Sequence, residues 1–109
     1  MATLGSLELT VLLTVSKLGD DAYGLAVRRA VSDHSGRDYS VGAIYTTLQR
    51  LEDKKLVNSH ETQPLPVRGG RSRRQFRVTA AGRRAIEDAR HRTSLLWQGV
   101  AQPPRSRPT

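Results

Sequence analysis

The chain has 109 residues, enough for one domain, and 37% hydrophobic with 26% charged residues is the composition of a globular protein. Its 18 Lys and Arg outnumber 10 Asp and Glu, and the formal charge of +8 favours a polyanionic partner, nucleic acid before an anionic membrane surface. Cysteine is absent, which excludes disulfides, thiolate metal sites and cysteine nucleophiles.

The first third of the chain predicts two helices. Apolar residues recur at helical spacing over Leu4–Leu18, and Ser6 is the candidate cap. The most apolar stretch is too short to cross a membrane and has no basic residues ahead of it, so we expect a cytoplasmic protein without a membrane partner. The segment Gly19–Asp21 then breaks the helix, and a second helix is expected over Ala22–Ser35, ended by Gly36.

A third helix is expected from its N-cap Ser40 to about Lys55. Its apolar face consists of Val41, Ile44, Leu48 and Leu51. Its opposite face carries Ala43, Thr46 and Arg50. That small, polar and basic face suits the major groove of B-DNA, where a threonine methyl can meet a thymine methyl and an arginine can pair with guanine. Taken alone, the same pattern is equally typical of an ordinary solvated helix face.

A β-hairpin with a basic tip is predicted next. Leu56–Thr62 is the first strand, Ser72–Val78 is the return strand, and Gly69-Gly70 lies in the turn-rich segment between them. Its arginines are Arg68, Arg71, Arg73, Arg74 and Arg77. Such a cluster is costly through self-repulsion unless an anion is near, so we expect these arginines to contact DNA phosphates or to enter the minor groove.

The last helix carries an apolar stripe that one small domain does not cover. Thr79 is expected to cap it, and it should run over Ala80–Ala101. Trp97 near its end either folds back or, as we favour, meets a second chain packed on the first helix. The predicted dimer interface consists of Leu4, Leu7, Val11, Ile86, Ala89, Leu96, Trp97 and Val100.

Enzymatic chemistry has little support in this sequence. His34, His60 and His91 are far apart, and no phosphate-binding loop, dinucleotide-binding glycine motif or serine nucleophile motif occurs. We therefore expect a protein that is not an enzyme and has no catalytic residue, no metal and no cofactor.

The element order predicts a mainly α fold with a two-stranded wing, a winged helix-turn-helix followed by a long C-terminal dimerisation helix. We expect a DNA-binding domain over residues 1–79, a dimerisation helix over 80–101 and a disordered tail over 102–109. The predicted function is that of a homodimeric DNA-binding transcription regulator. The alternative is a winged-helix module that binds an acidic protein partner, and RNA binding is a weaker option.

Four segments carry a resemblance to a known family. They are Asp21–Gly24, Val41–Leu48 with Arg50–Glu52, Arg68–Arg71, and Phe76–Gly82. In this order and spacing they resemble the PadR-like transcriptional regulators, in the short subgroup with one C-terminal helix, over residues 4 to 95. The resemblance implies a dimer formed by the first and last helices and a repressor that binds double-stranded DNA through the third helix and the wing. Some members are released by small phenolic or drug-like molecules.

On that basis the DNA-binding candidates are Tyr23, Ser40, Ala43, Tyr45, Thr46, Arg50, Arg68, Arg71, Arg73 and Arg74. Tyr45 lies at the edge of the apolar face, so core packing is an equal interpretation. Gln75 stands where the family often has an aromatic residue, which predicts a more loosely packed wing, and Gln63–Val67 replaces a usually more acidic approach to the turn. Placement in the short subgroup implies that the longer C-terminal domain of other members is not expected here, so the resemblance does not by itself imply that a small aromatic effector binds.

Overall fold

The structure, a computed structural model, describes residues 4–62 and 73–100. In chain order its elements are α1 (Ser6–Leu18), a 3₁₀ turn (Gly19–Asp21), α2 (Gly24–Ser35), α3 (Val41–Asp53), β1 (Val57–Glu61), β2 (Arg74–Val78) and α4 (Ala80–Trp97). The predicted order of three helices, a hairpin and a long helix is confirmed. Within the described residues, no helix is both long and apolar enough to cross a membrane.

Local capping explains where α2, α3 and α4 begin or end. The Ser40 hydroxyl accepts a hydrogen bond from the Ala43 backbone N–H at 3.1 Å, and the Thr79 hydroxyl accepts one from the Gly82 N–H at 3.0 Å, so both predicted N-caps are confirmed. Gly36 ends α2 with φ of 69°, a left-handed conformation that glycine adopts without steric cost.

The start of α1 differs from the prediction. Its N-cap is Gly5 and not Ser6, and the Gly5 N–H donates to the Glu8 carboxylate at 3.0 Å. The same carboxylate accepts a hydrogen bond from Lys54 Nζ at 2.7 Å, which ties α1 to the end of α3. The Lys54 ammonium, followed by the Gly5 N–H, holds the pKa of Glu8 below its usual value. Local capping and a long-range ion pair thus meet at one side chain.

The core lies between the first three helices and the hairpin. Its fully buried members with the largest side chains are Leu12, Ile44, Leu48, Leu51, Val11, Val15, Val27, Val31 and Val57. Val41, expected in the core, is 42% exposed because it is the first residue of α3, at the edge of the core. Thr47 is buried instead, and its hydroxyl donates to the Ala43 carbonyl at 2.8 Å. Helical spacing alone therefore misplaced one residue at the start of the helix.

The hairpin pairs antiparallel, with Ser59 opposite Phe76 and Glu61 opposite Arg74. Its second strand is also tied to the turn before α2, because the Phe76 N–H donates to the Ala22 carbonyl at 2.8 Å. Gln75 is buried, and its amide donates to the Asp20 carbonyl. The expected loose packing at Gln75 is therefore wrong for the described part of the wing, since the Gln75 side chain is buried and its amide has a backbone partner.

Candidate nucleic-acid interface

The exposed face of α3 is the surface that the sequence analysis assigned to DNA. Ser40, Thr46 and Arg50 are exposed, and Ala43 is half-buried between them. These four side chains are small or polar, while the exposed large apolar side chains of α3 are those of Val41 and Tyr45. A helix with small and polar outward residues is of the size and chemistry that the major groove accepts.

The segment before α3 is held by an arginine that the sequence analysis did not single out. Arg28 on α2 donates from Nε to the Tyr39 carbonyl at 2.9 Å, and its Nη2 lies 3.3 Å from the Asp38 carboxylate. These bonds join α2 to the approach to α3 across the helix-turn-helix. They fix where the N-terminus of α3 lies, and no local pattern around Arg28 signals them.

A cavity of about 420 Å³ opens beside α3, between the start of α2 and the root of the wing. Its lining residues are Tyr23, Gly24, Leu25, Ala26, Arg29, Tyr45, Arg73 and Arg74. Four predicted DNA-binding residues, Tyr23, Tyr45, Arg73 and Arg74, thus come together on one surface. Arg29 joins them, and sequence reasoning had missed it. Three guanidinium groups beside two phenols form a surface suited to a phosphate backbone.

Two aromatic contacts shape this cavity. The Arg73 guanidinium lies 4.2 Å from the centroid of the Tyr23 ring, a cation–π contact between the wing root and the start of α2. Tyr45 packs directly on Gly24, where a Cβ atom would overlap the phenol ring. Tyr45 remains 41% exposed, so the hydroxyl end of its ring packs on Gly24 while part of the side chain stays in contact with solvent. The two interpretations that the sequence left open for Tyr45 are therefore compatible.

Arg74 is held by neighbours on the hairpin. Its Nη1 donates to the Ser59 hydroxyl at 2.9 Å, and its Nη2 lies 3.6 Å from the Glu61 carboxylate. The Ser59 hydroxyl in turn donates to the Glu52 carboxylate on α3 at 2.7 Å. Glu52 lies in the segment Arg50–Glu52 that carries the family resemblance, but nothing in the sequence indicated that it accepts a hydrogen bond from the wing.

An apolar groove of about 550 Å³ lies on another surface, between α1 and α4. Its apolar lining residues are Leu9, Leu13, Ile86, Ala89 and Trp97. Leu96, Trp97 and Val100 are 77%, 63% and 52% exposed, and every residue from 91 to 100 is exposed. The fold-back considered for Trp97 therefore does not occur within the described chain.

The other predicted interface residues lie closer to the core. Leu4, Leu7 and Ile86 are half-buried against it, and Ala89 is 8% exposed. Val11 is fully buried, because α1 turns this side chain into the chain's own core. Val11 therefore has no surface to offer a partner, which corrects its assignment to the dimer interface.

Some predicted features lie outside the described residues. These are Arg68, Arg71, the Gly-Gly turn and the tail 102–109. Within residues 4–62 and 73–100, no three His, Asp or Glu side chains are grouped as a metal site would require.

Comparison with known proteins identifies the family. The model of the transcriptional regulator PadR-like family matches residues 11–88. The chain is similar to the transcriptional regulator Rv3488 of Mycobacterium tuberculosis, with 37% identity over 81 residues that cover 74% of this chain and 71% of that protein. It is also similar to a solved PadR family transcriptional regulator of Eggerthella lenta, with 29% identity, a TM-score of 0.64, and coverage of 86% and 83% of the two chains.

In fold it is similar to RosR of H. salinarum, with 23% identity, a TM-score of 0.73, and coverage of 90% of this chain and 81% of that one. The family match extends over the helix-turn-helix, the wing and the first half of α4. This chain therefore belongs to the PadR-like family of transcriptional regulators.

Proposed function

We propose that the protein is a repressor that acts in the cytoplasm and binds a pseudo-palindromic DNA operator as a homodimer. In this proposal residues 1–79 bind DNA and residues 80–101 form the dimerisation helix. The observation that carries it is the convergence of α3 with the cavity lined by Tyr23, Tyr45 and the arginines Arg73 and Arg74. Thr46 and Arg50 would read base edges in the major groove, while the wing arginines would bind phosphates.

Homodimerisation is supported by the apolar surface of α4. Leu95, Leu96 and Trp97 are neighbouring exposed apolar side chains at the end of α4, and burial of apolar surface stabilises association by about 25 cal/mol per Å². The groove beside α1 lies next to Trp97, so a second copy could insert its own α4 there. Two copies would present two α3 helices, as a pseudo-palindrome requires.

The DNA test begins with selection of preferred duplexes from a random library by the full chain. Anisotropy titrations then compare the selected duplex with a scrambled one, and we expect the wild type to prefer the selected duplex by roughly a thousandfold. Arg50→Ala should lower this preference, because a lost base contact affects only the matching sequence. Arg73→Ala should weaken binding to both duplexes alike. It should also reduce the slope of log affinity against log salt concentration by about 1.

Arg92→Ala is the matched control, since it removes one positive charge from the exposed second half of α4. It should change the preference between the two duplexes by less than about twofold. If no sequence is enriched and the scrambled duplex stays unbound, DNA binding is refuted and the acidic protein partner becomes the leading hypothesis. Equal, salt-sensitive binding to both duplexes would refute sequence-specific regulation.

The dimer test is sedimentation of the purified chain. The wild type should sediment at about twice its monomer mass of 12.1 kDa. Trp97→Glu should shift the equilibrium toward monomer, because it places a charge within the proposed interface. Arg92→Ala on the same helix should leave the mass unchanged. A monomeric wild type at micromolar concentration would contradict the proposal.

Repression is tested by deleting the gene and measuring transcripts that start next to a selected operator. Derepression supports the assignment, and a fall in transcript would indicate an activator. A small aromatic effector would compete with the partner's α4 for the groove beside Trp97. Because Trp97 is the single tryptophan of the chain and lies in the proposed interface, its fluorescence responds to effector binding and to dissociation, and sedimentation with the effector separates the two.

A further inference from the structure

Three elements of the proposed DNA reader are joined by one chain of hydrogen bonds. It begins at the Glu52 carboxylate on α3, which accepts a hydrogen bond from Ser59 on β1 at 2.7 Å. It continues to Arg74 on β2, whose Nη1 donates to the same Ser59 hydroxyl at 2.9 Å. The hydroxyl therefore donates to a carboxylate and accepts from a guanidinium, which are its two strongest kinds of partner.

The location of this network matters because Arg74 lines the cavity beside α3. Tyr45 and Phe76 flank the same arginine in an adjoining cavity, together with Gln49 and Glu52. Arg74 is about half exposed, so its guanidinium can reach a phosphate while it keeps its bond to Ser59. A half-buried carboxylate next to a proposed polyanion surface repels DNA, so its place beside Arg74 points to a structural role rather than a direct DNA contact.

The other side of the wing root is tied to a different part of the chain. Gln75 bonds the Asp20 carbonyl, and Arg77 Nη2 lies 3.1 Å from the Asp20 carboxylate. These contacts join β2 to the turn before α2, and they do not reach α3. Among the side-chain hydrogen bonds of the described residues, the one between Glu52 and Ser59 joins α3 to the hairpin.

We propose that Glu52 is a positioning residue for DNA recognition. Through Ser59 it holds Arg74 and the wing at a fixed distance from the exposed face of α3 that would enter the major groove. The inference rests on the proposed function, because it concerns how two DNA contacts are made at once. Sequence-specific binding needs α3 in the groove and the wing on the backbone in one geometry. Binding to random DNA depends mainly on charge and tolerates a displaced wing.

The test compares Glu52→Ala, Glu52→Gln, Ser59→Ala and Arg74→Ala in the full chain, on the selected and the scrambled duplex. Glu52→Ala should weaken binding to the selected duplex about fivefold, the effect of one hydrogen bond. Its binding to the scrambled duplex should stay equal or become slightly tighter, since a negative charge is removed. Glu52→Gln should keep the wild-type preference for the selected duplex, because the amide oxygen can still accept a hydrogen bond from Ser59.

The two partner variants separate positioning from direct contact. Ser59→Ala should weaken binding to the selected duplex as Glu52→Ala does, since it cuts the same chain of hydrogen bonds, but it should not tighten binding to the scrambled duplex, because Glu52 keeps its charge. Arg74→Ala should weaken binding to both duplexes alike, as loss of a phosphate contact does. In the Arg74→Ala background, the change Glu52→Ala should cost less than in the wild type, because the two residues act through one network.

The proposal is overturned if Glu52→Ala keeps the wild-type preference for the selected duplex or weakens binding to both duplexes equally. It is also overturned if Glu52→Gln loses that preference. Circular dichroism at the assay temperature shows whether each variant is folded. Should Glu52→Ala be unfolded, Ser59→Ala and Glu52→Gln decide the question by the same criteria. A wild type without any sequence preference would instead refute the proposed function, so the two failures are distinguishable.

Discussion

Gly82→Ala should destabilise the protein, although alanine is the better helix former. Gly82 is the third residue of α4, and an added Cβ would overlap the Leu56 carbonyl oxygen and lie 2.7 Å from Val78 Cγ1. The carbonyl cannot move freely, because it accepts the Thr79 N–H at 3.0 Å. This close approach seats α4 on the turn between α3 and β1.

The magnitude follows from three opposing contributions. Helix propensity favours alanine by at most about 1 kcal/mol. Overpacking costs about 1–3 kcal/mol, and a weakened bond between Thr79 and Leu56 adds about 1 kcal/mol. We expect a net loss of about 2 kcal/mol, which lowers Tm by roughly 10 °C in a chain of this size.

The assay is urea unfolding followed by circular dichroism at one protein concentration, because association makes apparent stability depend on concentration. Gly42→Ala is the matched control, since Gly42 lies in α3 and, apart from its chain neighbours and the backbone of its own helix, no described atom lies within 4 Å of its added Cβ. That variant should be more stable than the wild type by up to about 1 kcal/mol. A Gly82→Ala protein as stable as the wild type would refute the close packing of α4.

Three further changes test other contacts. Gly24→Ala would displace the Tyr45 ring, so we expect DNA affinity in anisotropy titrations to fall severalfold. The unfolding free energy should change by less than about 1 kcal/mol, because the Tyr45 side chain can move away from the added methyl group. Glu8→Gln should lower the free energy of unfolding by about 1 kcal/mol at neutral pH. Because the folded-state pKa of Glu8 is lowered, urea titrations should show the difference in unfolding free energy between the wild type and this variant shrinking from about pH 5 downward. Gln75→Met should lower the unfolding free energy by about 1 kcal/mol, because the Asp20 carbonyl loses its donor.

Each of these changes has an outcome that would contradict its reasoning. A Gly24→Ala protein with wild-type DNA affinity would show that the position of Tyr45 is irrelevant to binding. If the gap between the wild type and Glu8→Gln stayed constant down to pH 3, the carboxylate would not owe its stabilising effect to its charge. Unchanged stability of Gln75→Met would mean that the buried amide contributes nothing to the wing root.

Much of the fold could be predicted from the sequence because its signals are local. Helical spacing of apolar residues identified the four α-helices of residues 4–62 and 73–100, since a helix repeats every 3.6 residues whatever it packs against. Ser40 and Thr79 marked two helix starts, because a capping hydroxyl bonds an N–H only three residues away. The family could also be inferred, because its motifs are short segments in a fixed order.

Tertiary structure alone decided which residues meet. Gln75 bonds a carbonyl 55 positions earlier in the chain, and the Arg74 to Ser59 bond spans 15 positions. Val11 and Trp97 both lie on apolar helix stripes, yet one is fully buried and the other 63% exposed. Spacing within a helix tells which residues share a face, but only the packing of other elements determines how much of that face is covered. The sequence by itself therefore determined the elements and the family, while the folded chain decided the Tyr–Arg cavity and the bond network that joins α3 to the wing.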